Sequence, residues 1–132
     1  MARIFIGVAW PYANNAQHFG HIAGVYLPAD IFARYHRMKG NEVLMVSGSD
    51  MHGTPITVTA EERGVKPEEV AEEFHKLNSE NLNALGISYD LFTKTSTPHH
   101  AAVVHDVFLR LMENGYIYRS KMDSMYCGHC ER

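Results

Sequence analysis

Apolar and polar positions along this chain switch between two periods. Ile4-Phe5-Ile6-Gly7-Val8 is a continuous apolar run of strand length and predicts a buried β-strand. Over residues 20–39 the apolar positions recur at helical spacing. Ile22, Val25, Ala29, Phe32 and Ala33 point inward in this reading, and Gly40 closes the helix. Pro28 lies well inside that segment, where it removes a hydrogen bond and predicts a kink. Residues 42–46 read as a second strand and residues 47–53 as the loop behind it. A short helix follows, with Thr54 as its cap and Pro55 at its first position.

Residues 67–85 form an amphipathic pattern with Val70, Phe74, Leu77 and Leu85 on one side, ended by Gly86. Residues 89–93 are a short strand candidate. Thr97-Pro98 opens a last helix that turns Val104, Phe108 and Leu111 inward and stops at Gly115. Residues 116–126 read as β-like and irregular. Strands that alternate with helices predict an α/β fold with a parallel sheet of Rossmann type.

Composition narrows the setting. At 132 residues the chain is one domain's worth, with 45% hydrophobic and 20% charged positions, the balance of an ordinary globular protein. No apolar run approaches the roughly 20 residues that span a bilayer, so no membrane partner is expected. The N-terminus shows no signal-peptide pattern, and the expected location is cytoplasmic. A formal net charge of −3 argues against a free-standing nucleic-acid binder, which needs a basic face.

The chemistry concentrates behind the first strand, in Ala9-Trp10-Pro11-Tyr12-Ala13-Asn14-Asn15-Ala16-Gln17-His18-Phe19-Gly20-His21. The opening N–H groups of a helix have no internal partner, and the helix dipole draws anions there. His18 and His21 are three apart and share a face, so both imidazoles can donate to one phosphate. Gly20, without a side chain, leaves room for a flat base or sugar. Two histidines near a helix start are also found as plain surface residues. Asp50, at the carboxyl edge of the sheet where such folds bind ligands, suits an ammonium group or caps its own loop. Trp10 is a pocket or a core aromatic. Cys127-Gly128-His129-Cys130 holds both cysteines of the chain and reads as a redox pair, half a metal site or two exposed thiols. Zinc in a structural site takes four protein ligands, so this is at most half of one.

Pro11-Tyr12-Ala13-Asn14, His18-Phe19-Gly20-His21 and Gly48-Ser49-Asp50-Met51-His52-Gly53-Thr54-Pro55-Ile56 resemble the class I aminoacyl-tRNA synthetases, and most of all the methionyl-tRNA synthetases. H-x-G-H is shared across the class; D-x-H-G-T-P-I at this distance from it favours the methionine enzymes. The resemblance implies that residues 1–115 are the N-terminal half of a catalytic domain and residues 116–132 the start of a zinc-knuckle insertion. It implies ATP, with magnesium, as a substrate, methionine as the other, and tRNA as the partner. His18 and His21 would be catalytic. Tyr12, His18, Gly20 and His21 would hold ATP, and Ala9, Trp10, Tyr12 and Asp50 would hold methionine. Trp10 stands where other members often carry a smaller aliphatic residue. Cys127 and Cys130 match the first pair of zinc ligands.

Members of that family are several times longer, and the K-M-S-K-S-type loop that holds ATP phosphates is absent here. The expectation is a chain with very weak or no catalysis alone, carrying strands one to three of a sheet ordered 3-2-1-4-5. Residues 4–8 would then be an apolar edge, predicting a homodimer through that strand. Two other readings remain: a different class I synthetase or related nucleotidyltransferase, and a non-catalytic piece that pairs with a partner chain.

Overall fold

The computed structural model describes residues 1–129, in two compact units, residues 1–98 and the remainder from His99. In the first, β1 (Arg3–Gly7) leads to a single turn, α1 (Phe19–His21), a π-helical stretch (Ile22–Tyr26) and α2 (Leu27–Met38). β2 (Glu42–Ser49), α3 (Thr54–Arg63), α4 (Pro67–Ala84) and β3 (Leu91–Lys94) follow. The three strands form one parallel sheet ordered β1-β2-β3, with Phe5 opposite Leu44 and Val46 opposite Leu91. Both crossovers carry helices, as parallel pairing requires. In the second unit, α5 (Pro98–Glu113) has no buried residue, and residues 116–126 form no strand.

Two clusters make the core of the first unit. Val8, Tyr26, Ala33, Met45, Leu82 and Ile87 fill the space between the sheet and its helices. Ala13, Met51, Ile56, Ala60, Val70 and Ala71 sit under α3 and α4. The opposite face of the sheet is bare: Phe5 is 69% exposed, and Leu44 and Leu91 are about half exposed.

Several sequence expectations are corrected. β2 runs through Ser49, because Ser47, Gly48 and Ser49 pair with Phe92, Thr93 and Lys94. Short polar residues masked that extension. Thr54 is the first residue of α3 and Gly53 its cap. Pro28 falls in the first turn of α2, where its missing N–H is tolerated, because the helix passes through the wider π turn just before it. The rotation this introduces leaves Phe32 half-exposed against His36 and turns Asp30 inward.

Asp30 is 4% exposed. It accepts bonds from the Ser88 N–H at 2.7 Å and the Ser88 hydroxyl, and pairs with Arg34 at 2.6 Å. Burial alone would raise this carboxyl, but Ser88 and Arg34 outweigh it and hold it below the usual range. The pair fastens α2 to the turn before β3. Gly40 and Gly86 close their helices at φ of 75° and 73°, left-handed values that favour glycine.

Candidate active site

The segment behind β1 does not float as a loop. It runs beside the end of β2 and is hydrogen-bonded to it. Val8 N–H donates to the Val46 carbonyl at 2.9 Å, and Ser47 Oγ donates to the Ala9 carbonyl at 3.1 Å. Tyr12 and Asp50 then form a parallel bridge: Asp50 N–H reaches the Pro11 carbonyl at 2.9 Å, and Ala13 N–H the Asp50 carbonyl at 3.0 Å. Two motifs nearly forty residues apart thereby become neighbours.

Two glycines make room for the aromatics of this segment. A methyl at Gly48 would strike the Thr93 carbonyl and come within 2.8 Å of the Trp10 ring. One at Gly53 would strike the Tyr12 ring. Trp10 is half-buried, while Ala9 and Tyr12 are exposed.

His18 opens α1 with its own side chain. The Gly20 N–H donates to His18 Nδ1 at 3.0 Å, an imidazole doing the work usually given to Ser or Asp. In the neutral ring this leaves the proton on Nε2 as a donor. His18 and His21 stack, centroids 3.9 Å apart. His21 Nδ1 is buried without a hydrogen-bond partner. Ahead of them, Gln17 Nε2 donates to the Tyr26 hydroxyl at 2.8 Å. Burial pushes that hydroxyl up to about 12, with the Gln17 bond pulling the other way, so it stays protonated at neutral pH.

Asp50 is half-buried. Its Oδ1 accepts from the His52 N–H at 3.0 Å and the Thr95 hydroxyl at 3.4 Å, and Thr95 Oγ1 in turn accepts from the Met51 N–H at 2.8 Å. Both bonds fall on Oδ1, so Oδ2 keeps its capacity for an ammonium group. The loop-capping reading and the binding reading of Asp50 are therefore compatible: one oxygen caps, and the other takes no part in the cap.

The family model of tRNA synthetases class I (M) matches residues 4–132. The chain belongs to that family. A methionine–tRNA ligase from Dehalococcoides mccartyi is 59% identical over 130 residues, 98% of this chain and 24% of that protein. One from Roseiflexus castenholzii is 57% identical over 123 residues, 93% of this chain and 21% of that protein. Among solved structures, a Mycobacterium tuberculosis methionyl-tRNA synthetase in complex with methionyl-adenylate matches with a TM-score of 0.83 and 28% identity. That match covers 87% of this chain and 22% of the other. The chain thus spans between a fifth and a quarter of the length of these relatives.

In this class I synthetase chain the sequence reading missed several residues around the site. Thr95 shares Asp50, and His75 Nδ1 lies 2.9 Å from Ser49 Oγ at the buried end of β2. Asn78 reaches the loop before His18. None follows a motif, because each acts from an element distant in sequence. A cavity of about 210 Å³ lies beside the His52-Gly53 turn, lined by Met51, Ile56, Pro67, Ala71 and Glu72 among others, and touches neither Asp50 nor the His18–His21 pair. Cys127 is exposed, and no group of three metal-ligating side chains occurs among the described residues. Cys130 lies outside the described residues.

Proposed function

We propose that this chain supplies the N-terminal half of a methionine-activating site. In the whole protein the methionine carboxylate attacks the α-phosphorus of magnesium-bound ATP. Pyrophosphate leaves, and the methionyl group of the adenylate then passes to tRNA. Asp50 Oδ2 takes the α-ammonium group. Ala9, Trp10 and Tyr12 flank the side chain, where a thioether gains from aromatic contact. His18 and His21 donate to the phosphate as charge builds on it, and Tyr12 and Gly20 border the nucleotide. The observation that carries this reading is the Tyr12–Asp50 bridge, which joins the nucleotide-side motif to the amino-acid-side carboxylate.

The sheet order β1-β2-β3 supports a Rossmann-type half-sheet, with the nucleotide at its carboxyl edge. No helix among the described residues is long and apolar enough to cross a membrane; the cytoplasmic setting follows from the ATP and tRNA that this reading requires. Residues 116–132 begin an insertion in which Cys127 and Cys130 supply two of four zinc ligands. In the 132-residue chain by itself, the unpaired side of β1 is the surface through which two copies associate.

Isothermal calorimetry with a non-hydrolysable methionyl-adenylate analogue tests the reading. Wild-type chain should bind it, and D50N should bind at least roughly ten-fold more weakly, as loss of a charge-assisted contact requires. A folded wild-type sample with no affinity, or a D50N variant with unchanged affinity, overturns it.

A further inference from the structure

We infer that Asn78, on α4, is a positioning residue for the His18–His21 pair. The inference rests on the functional reading above and extends it to a side chain that touches no substrate.

Asn78 lies on the buried face of α4 with Val70, Ala71 and Leu82, and is 1% exposed. An amide in such a place is costly unless both its ends are satisfied. Asn78 spends both on one loop. Its Oδ1 accepts the Gln17 N–H at 3.1 Å, and its Nδ2 donates to the Asn15 carbonyl at 3.2 Å. The two backbone groups straddle Ala16, and the later one immediately precedes His18. A leucine of the same size would fill the core equally well and serve the loop not at all.

The clamp matters because little else orders this stretch. Ala13 is the last loop residue whose main chain bonds to Asp50, just past β2, and His18 is the next to bond within α1; between them the loop adds the local bond from the Ala16 N–H to Asn15 Oδ1. Between them, Asn78 grips the main chain, and Tyr26 accepts from the Gln17 side chain. Gln17 Oε1 is left buried without a partner, so the side-chain bond alone does not satisfy Gln17. Asn78 therefore sets where Gln17 ends and His18 begins, and with it the seat of the His18 ring that caps Gly20. Catalytic groups lose effect steeply when displaced by an ångström or less.

The test compares wild type with N78L and N78D in the 132-residue chain. Two readouts are taken at matched fractions folded. The first is the affinity for a non-hydrolysable methionyl-adenylate analogue against that for methionine alone. N78L should weaken the analogue roughly ten-fold while methionine changes less than about two-fold, because methionine does not use the His18–His21 pair. N78D, which can still accept from Gln17 but opposes the Asn15 carbonyl, should fall between. The second readout is amide hydrogen exchange. In N78L the Gln17 and Gly20 amides should exchange faster while those of β2 keep wild-type protection. Affinities for both ligands that fall together, or not at all, overturn the positioning role. If the wild type binds neither ligand, the activation reading has failed; the exchange rates still decide Asn78, and unchanged Gln17 and Gly20 protection in N78L overturns it.

Discussion

The imidazoles of His18 and His21 lie face to face, with centroids 3.9 Å apart and planes 19° from parallel. One turn of helix brings them together, and the Gly20 N–H bond to His18 Nδ1 fixes one ring against the other. Gly20 belongs to the same device, since a Cβ there would stand 2.9 Å from His18 Cε1. Two imidazoles so placed can share one anion, which is the task proposed for them.

His18 has two jobs, and one substitution separates them. H18N keeps a side-chain acceptor at the helix start, so stability should stay within about 0.5 kcal/mol of wild type. Affinity for the methionyl-adenylate analogue should fall roughly ten-fold or more, because the ring's donor to phosphate is gone. Urea unfolding and calorimetry on the same sample check this. Unchanged affinity would leave His18 as a cap and nothing else.

Gly48 and Gly53 should behave differently although both are crowded. A methyl at Gly48 meets the backbone of Thr93, which cannot rotate away. G48A should therefore cost about 1–3 kcal/mol of folding stability. At Gly53 the obstacle is the exposed Tyr12 ring, a side chain that can swing aside. G53A should keep most of the stability but move Tyr12, weakening the adenylate analogue. Equal losses of stability in the two variants would contradict this division.

Much of this arrangement could be read ahead from the sequence, but only where local signals dominate. β1 was legible as a strand from its unbroken apolar run, though not as a buried one, since Phe5 is exposed and Ile4 and Ile6 are half-buried; α3 was legible from Thr54-Pro55. The last three residues of β2 were not, since Ser47, Gly48 and Ser49 are polar or small and become strand only by pairing with β3. The π turn before Pro28 shifts the helical period by a residue, so Asp30 replaced Phe32 on the inner face. His18 and His21 could be paired from spacing alone. Asn78, Thr95 and His75 could not, because their partners lie 26 to 63 residues away.

His75 supplies a pH dependence whose sign follows from its surroundings. Burial lowers its pKa, the nearby Lys94 lowers it further, and Glu72 opposes them. The ring stacks on Phe92 and lies against Ser49 Oγ, a setting that favours the neutral form. The unfolded chain takes up this proton near pH 6.5, before the folded one does. His75 therefore contributes stability that is full above about pH 6.5 and is lost as pH falls through its lower folded value. Urea midpoints measured from pH 7.5 down to pH 5 should drop more steeply in wild type than in H75Q. Parallel curves would mean the ring titrates alike in both states.

Self-association should run through the open side of β1. That strand pairs only with β2 among the described residues, so its outer N–H and C=O groups form an unpaired row. Phe5 stands beside this edge on the bare face, 69% exposed, with Leu44 next to it and Leu91 on the far strand. A lysine at either Phe5 or Leu91 changes an exposed position and should alter stability by no more than about 0.5 kcal/mol. The two differ in what they block. F5K places charge at the β1 edge, whereas L91K charges the same face at the opposite, β3 edge. If two copies pair edge to edge, light scattering should give a wild-type mass above one chain that falls on dilution. F5K should then be monomeric and L91K should still associate. Dissociation by both variants would remove β1-to-β1 pairing and leave a contact that uses the sheet face or the β3 edge as well. A wild-type chain at monomer mass at the highest concentration would remove the proposed dimer altogether.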